Sequence, residues 1–109
     1  MRTMTFAQAI EDALTQAMVA DPRIVVFGED VHTIRMNLYA RFGEKRVRPS
    51  PISESAFLGA AVGAAMAGLR PVVEIMMVDF VAVAADALVN HAAKINAMSG
   101  GRWNVPMVV

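Results

Sequence analysis

The sequence has no cysteine, which excludes disulfide bridges and thiolate metal sites and suits a reducing compartment. It has no surplus of either charge. Ten basic residues cancel ten acidic ones, and a pI near 6.7 leaves no electrostatic footprint for nucleic acid or an anionic membrane surface. Long apolar runs are also missing. The longest uncharged stretch, Ser55 to Leu69, has 15 residues, short of the roughly 20 that a membrane helix needs. The opening MRTMTFAQAIEDALTQA lacks the apolar core of a signal peptide and carries two acids, unlike a transit peptide. Expected is a soluble, cytoplasmic protein with neither nucleic acid nor membrane among its partners. There is no P-loop, no G-x-G-x-x-G after a strand, no H-E-x-x-H and no G-x-S-x-G. His32 and His91 lie far apart with no companion at metal-ligand spacing, and both read as surface histidines.

Apolar residues, by contrast, are abundant. They make up 56% of 109 residues, against about 45–50% in an average domain, while charged residues fall to 18% against about 25%. Either the chain has a well-filled single core, or part of its apolar surface meets another subunit or the rest of a longer chain. The terminal WNVPMVV reads as a buried strand just beginning. Residues 1–109 are therefore expected to form one domain, incomplete at its C-terminal end, with no second domain.

Hydrophobic periodicity organises the chain. Thr5 and Gln8 fit a capping box, and Phe6, Ile10, Ala13, Leu14, Ala17 and Met18 share one helical face up to the stop at Asp21-Pro22. Ile24 to Phe27 is a continuous apolar run, the signature of a strand buried on both faces of a parallel sheet. Ile34, Leu38, Tyr39 and Phe42 allow a short helix closed by Gly43, and VRPSP is a short extended piece. Ser53 is placed to cap a helix reaching about Leu69, with Glu54 in its first turn. Along that helix Gly59, Gly63 and Ala67 recur every four residues, a face that lets another backbone approach closely. VVEIMMV reads as a second strand and DFVAVAADALVNHAAKINAMSGG as a long helix with an Asp86, Asn90, Lys94 stripe. VPMVV begins a third strand. The expected fold class is α/β, a mostly parallel sheet with helices on both faces.

Two acidic positions fall where such sheets bind ligands. Glu29 and Asp30 follow a strand at its C-terminal end, and Glu54 opens a helix at another strand-to-helix junction. If both junctions share one sheet edge, the acids face one cleft. The plainer alternatives are a solvated loop for Glu29 and Asp30, and for Glu54 a first-turn acid held by the helix dipole.

VVFGEDV, FGEKRV, PISESAFLGAAVGAAMAGLRPVVEIM, DF, NHAAKINAMSGG and VPMVV, in this order, together resemble one family. It is the β subunit of the thiamine-diphosphate-dependent 2-oxo acid dehydrogenase E1 component, of the pyruvate, branched-chain 2-oxo acid or acetoin type. The resemblance implies a transketolase-like pyrimidine-binding domain. It implies that Glu54 hydrogen-bonds N1′ of the cofactor's aminopyrimidine ring. A carboxylic acid sharing its proton there favours the 4′-imino form, whose nitrogen serves as internal base at the thiazolium C2. Phe80 matches the aromatic residue lying against that ring, and Glu29 an acid linked with proton relay between paired sites. Met107 falls where a backbone carbonyl begins a potassium site. The resemblance further implies an E1 α subunit that holds the pyrophosphate and its Mg²⁺, a second β subunit (α2β2), and an E2 lipoyl acyltransferase that receives the acyl group.

The sequence departs from the family in two places. Pro49 and Ser50 stand where aspartate and threonine are usual, and the segment from Asp30 to Phe42 is shorter and lacks glycine. Two other functions remain open: a transketolase or deoxyxylulose-phosphate-synthase type enzyme, and a non-catalytic module that binds an α-like partner.

Overall fold

Thr5 opens the first helix through the reciprocal pair the sequence promises. The Gln8 N–H donates to Thr5 Oγ1 (3.2 Å) and the Thr5 N–H to Gln8 Oε1 (2.9 Å), satisfying two amides that a helix start leaves free. In this computed structural model, which describes residues 3–109, α1 runs Phe6–Ala20. It stops at Asp21, whose extended backbone (φ −131°, ψ 112°) is the conformation a residue before proline prefers.

The chain then enters β1 (Ile24–Gly28), the middle strand of three. β2 (Val47–Pro49) lies on one side and β3 (Arg70–Val73) on the other, and both pairings are parallel. A central parallel strand is covered on both faces, which is why Ile24–Phe27 is apolar throughout. Alternation sorts its side chains into two layers. Val26, with Val47 and Val72 on the adjoining strands, faces Met18 of α1, Val31 of α2 (Val31–Ile34) and Leu38 of α3 (Met36–Phe42). Phe27 and Val73 face Phe57, Leu58 and Ala61 of α4 (Glu54–Met66), with Ala84 and Ala87 beyond. The α/β class with helices on both faces is thus present.

Arg46 ties the first layer together. Its guanidinium donates to the carbonyls of Met18 (2.9 Å), Asp21 (2.8 Å) and Ile24 (3.1 and 2.9 Å), and lies 5.1 Å over the Phe42 ring. It therefore satisfies carbonyls that the end of α1 would otherwise leave free.

The second half departs from its expected form. The strand expected over residues 72–78 ends at Val73, and Met76 and Met77 are exposed. On its outer side β3 meets only the Val72–Val108 bridge, with the Val73 N–H donating to Val108 O (2.8 Å). A strand without a partner ladder does not extend. The expected third strand is that single bridge. The long helix expected after Asp79 is broken into a 3₁₀ turn (Val78–Val81), a π turn (Ala87–Ala92) and α5 (Ile95–Met98). Hydrogen bonding shifts from Ala82 N–H to Asp79 O (3.2 Å) to Ala93 N–H to Leu88 O (2.9 Å). Ala84 and Ala87 are its only fully buried residues, while Val83 and Val89 face outward. Two anchors and exposed β-branched residues favour local winding changes over a uniform helix. The polar stripe survives: Lys94 Nζ donates to Asn90 Oδ1 (2.7 Å) and Asn90 Nδ2 to Asp86 Oδ1 (2.8 Å). Gly100 and Gly101, at φ +61° and +80°, end the segment.

Candidate functional site

The three strands run parallel, so their C-terminal ends share one edge, and the loops leaving that edge carry Glu29, Glu54 and Phe80. Gly28 is the last residue of β1. Its carbonyl accepts the Ser50 N–H (3.0 Å), which fixes the loop leading from β2 to α4. On the other side the Glu74 N–H donates to Phe27 O (2.8 Å), where β3 gives way to the loop that carries Phe80. A Cβ on Gly28 would stand 2.4 Å from Glu74 O, so only glycine allows the strand ends to close this tightly.

Glu54 is the first residue of α4 and only 7% exposed. Its carboxylate makes no hydrogen bond among the described residues. Ser53 does not cap the helix as its type suggests. Its side chain makes no cap bond, and its backbone carbonyl takes the Ala56 and Phe57 N–H groups (both 3.0 Å). Glu54 therefore brings a largely buried side chain to the edge with its carboxylate unbonded among the described residues, at a helix terminus that favours negative charge. Ser55, beside it, donates from Oγ to Val83 O (2.8 Å) and stitches this first turn to the segment bearing Phe80. Phe80 sits in the 3₁₀ turn, 37% exposed, and stacks on no other aromatic ring among the described residues. Glu29 is buried (6%) rather than solvated, which corrects the plainer reading of that loop, whereas Asp30 is exposed at φ +54°.

A cleft of about 450 Å³ opens beside the β2–α4 loop. It is lined by Phe27, Phe57 and Ala60 together with Arg48, Ser50 and Ser53. The departures at Pro49 and Ser50 fall here.

Met107 is not part of this edge. It lines a separate cleft with Ile24, Arg70 and Pro71, where β1 and β3 begin. His32 and His91 are exposed, as expected. No group of three or more metal-ligating side chains exists among the described residues. No helix there is long and apolar enough to cross a membrane. The small-residue face of α4 has no neighbour among the described residues: a Cβ at Gly59 or Gly63 would meet nothing within 4 Å.

One charged pair escaped the sequence reading. Arg35, only 8% exposed, grips Glu74 with two hydrogen bonds, Nε to Oε2 (2.9 Å) and Nη2 to Oε1 (2.7 Å). The partners are 39 residues apart, so no local pattern could have joined them.

Residues 2–109 match the family model described as the transketolase pyrimidine-binding domain. The chain is 43% identical over 113 residues to the pyruvate dehydrogenase E1 component subunit beta-1, mitochondrial, of Arabidopsis thaliana, covering 98% of this chain and 31% of that protein. It is 43% identical over 111 residues to the pyruvate dehydrogenase E1 component subunit beta of Rickettsia bellii (96% and 34%). With the 2-oxoisovalerate dehydrogenase subunit beta of Bacillus subtilis it shares 39% over 115 residues (100% and 35%). The chain spans about a third of the length of these relatives. The parallel sheet and the matched sequence together establish that the chain belongs to the transketolase pyrimidine-binding-domain family.

Proposed function

We propose that this chain is the pyrimidine-binding domain of a 2-oxo acid dehydrogenase E1 β subunit, acting with thiamine diphosphate. The single observation that carries the reading is Glu54: a residue buried to 7% exposure whose carboxylate makes no hydrogen bond among the described residues, at the ligand-binding edge of a parallel sheet. The residues present suit the cofactor. Glu54 offers an acceptor for a ring N–H donor, and the unstacked Phe80 face suits a flat heterocycle. When bound, thiamine diphosphate would supply the electron sink through which a 2-oxo acid loses its carboxylate as carbon dioxide.

The chain's own part is to bind and orient. Glu54 would hold a proton at the pyrimidine ring, Phe80 would fix the ring plane, and the tight closure at Gly28 would hold their loops. The Mg²⁺ and the pyrophosphate would be held by an E1 α subunit. The β-subunit relatives support partnership with an α subunit; in this reading the assembly is α2β2 and hands its acyl group to the lipoyl arm of an E2 component. The open Gly59 and Gly63 face gives a surface for close packing in that assembly. A potassium ion at the Met107 carbonyl would serve structure rather than chemistry, because Met107 lies at the far end of the sheet.

The test uses the full-length protein carrying this domain, co-expressed with an E1 α subunit. Dye reduction dependent on a 2-oxo acid is measured with thiamine diphosphate and Mg²⁺ for wild type and Glu54→Gln. Loss of about 100-fold or more in the intact complex is expected, as for removal of a positioned acid–base group. Equal rates in both proteins would refute the assignment of Glu54. No activity with any 2-oxo acid would favour a non-catalytic module.

A further inference from the structure

We infer that Arg35 is a positioning residue for the site: through its two-point grip on Glu74 it sets where the Phe80 loop leaves the sheet. The inference rests on the thiamine-diphosphate reading above and goes beyond it by assigning a residue outside the edge itself.

Three observations converge. First, Glu74 is the residue at which the chain departs. It follows the last residue of β3, its N–H still bonds Phe27 O (2.8 Å), and Met76 and Met77 beyond it are exposed. Second, its backbone carbonyl is pressed against Gly28, so the main chain cannot slide toward β1. Third, its carboxylate is held by Arg35 Nε and Nη2 at 2.9 and 2.7 Å, the fork geometry that fixes direction as well as distance. Six residues later comes Phe80.

Arg35 is itself well anchored. It stands between α2 and α3 at φ −113°, ψ 48°, its N–H donating to Val31 O (2.9 Å) and its carbonyl accepting the Tyr39 N–H (2.9 Å). The segment from Asp30 to Phe42 folds into two small helices, and Arg35 stands at their junction. The segment from Asp30 to Phe42 thus reaches the residue at which the opposite loop begins, through Arg35. Arg35 touches neither Glu54 nor Phe80 by any hydrogen bond or ion pair among the described residues, so it acts only through Glu74.

The test compares full-length wild type, Arg35→Lys, Glu74→Gln and the double variant, each assembled with the α subunit. Lysine keeps the charge but not the fork. Two quantities are read: the apparent Kd for thiamine diphosphate, and amide hydrogen exchange in residues 75–81 against that in β1. In each single variant the Kd is expected to rise about tenfold or more, as when a supporting contact of a bound group is lost. Exchange in 75–81 should accelerate while β1 stays protected, and kcat at saturating cofactor should fall less than the affinity. The double variant should be no worse than either single one, since both remove one contact. Wild-type affinity and wild-type exchange in the single variants would overturn the inference. So would uniformly faster exchange across the sheet with unchanged affinity, the pattern of a merely structural pair. A wild-type complex that binds no thiamine diphosphate would instead sink the functional reading, while the exchange contrast would still judge the Arg35–Glu74 support.

Discussion

Gly28→Ala is the sharpest stability test of the sheet edge. The added Cβ would lie 2.4 Å from Glu74 O and 2.9 Å from Val31 Cγ1, and side-chain carbons essentially never come closer than 3.0 Å. The Glu74 carbonyl must therefore retreat by about 0.6 Å, but it is held on both sides. Its own N–H is bonded to Phe27 O and its side chain to Arg35. Overpacking of this kind costs about 1–3 kcal/mol. The positive φ of Gly28, +157°, adds backbone strain of about 1–3 kcal/mol. Together they predict a loss of about 4 kcal/mol. At about 4–8 °C per kcal/mol for a domain near this size, Tm should fall by about 16–32 °C. Gly43→Ala is the control: its φ is +71°, but nothing lies within 4 Å of the new carbon, so it carries strain without a clash. Urea unfolding followed by far-ultraviolet circular dichroism reads both. If Gly28→Ala and Gly43→Ala lose the same amount, the close approach to Glu74 relaxes freely, and the account of a tight edge is wrong.

Gly63→Ala should stabilise the free chain by about 0.5–1 kcal/mol, because a helix-interior glycine gains propensity and meets no neighbour. A loss in the same urea titration would show that the α4 face is already occupied. Thr5→Ala should cost about 1 kcal/mol by removing the capping box, measured as a shift of the urea midpoint at constant slope. Arg23 donates from both its side chain and its backbone N–H to Asp21, with Arg70 nearby, and holds the Asp21 carboxyl at about 2 instead of 3.8. A depressed value stabilises the fold above pH about 4, and that contribution fades as pH falls through about 2. Asp21→Asn should therefore flatten the acid limb of a stability–pH curve between those values, while an unchanged limb would refute this pairing.

Where patterns are local, they were legible. The Thr5–Gln8 box, the stop at Asp21-Pro22 and the Asp86–Asn90–Lys94 stripe all join residues three or four apart, or adjacent ones, and each appears in the structure as read. The buried parallel strand was legible because burial on both faces removes polar residues from Ile24–Phe27. The segment after Asp79 was misread because its composition is helical, whereas its path answers to two anchor points, Ala84 and Ala87, against α4. The strand past Val73 was overextended for a similar reason: apolar residues there do not have a full neighbouring strand.

By itself the sequence determined the fold class, the parallel character of the sheet and the candidate acids, because periodicity and turn chemistry act within a few residues of their cause. Only the tertiary structure decided that Glu29 is buried, that Met107 stands at the opposite end of the sheet, and that Arg35 reaches Glu74. Those facts depend on which strand ends meet after folding. Strand order and side-chain reach bring together residues that no sequence spacing relates.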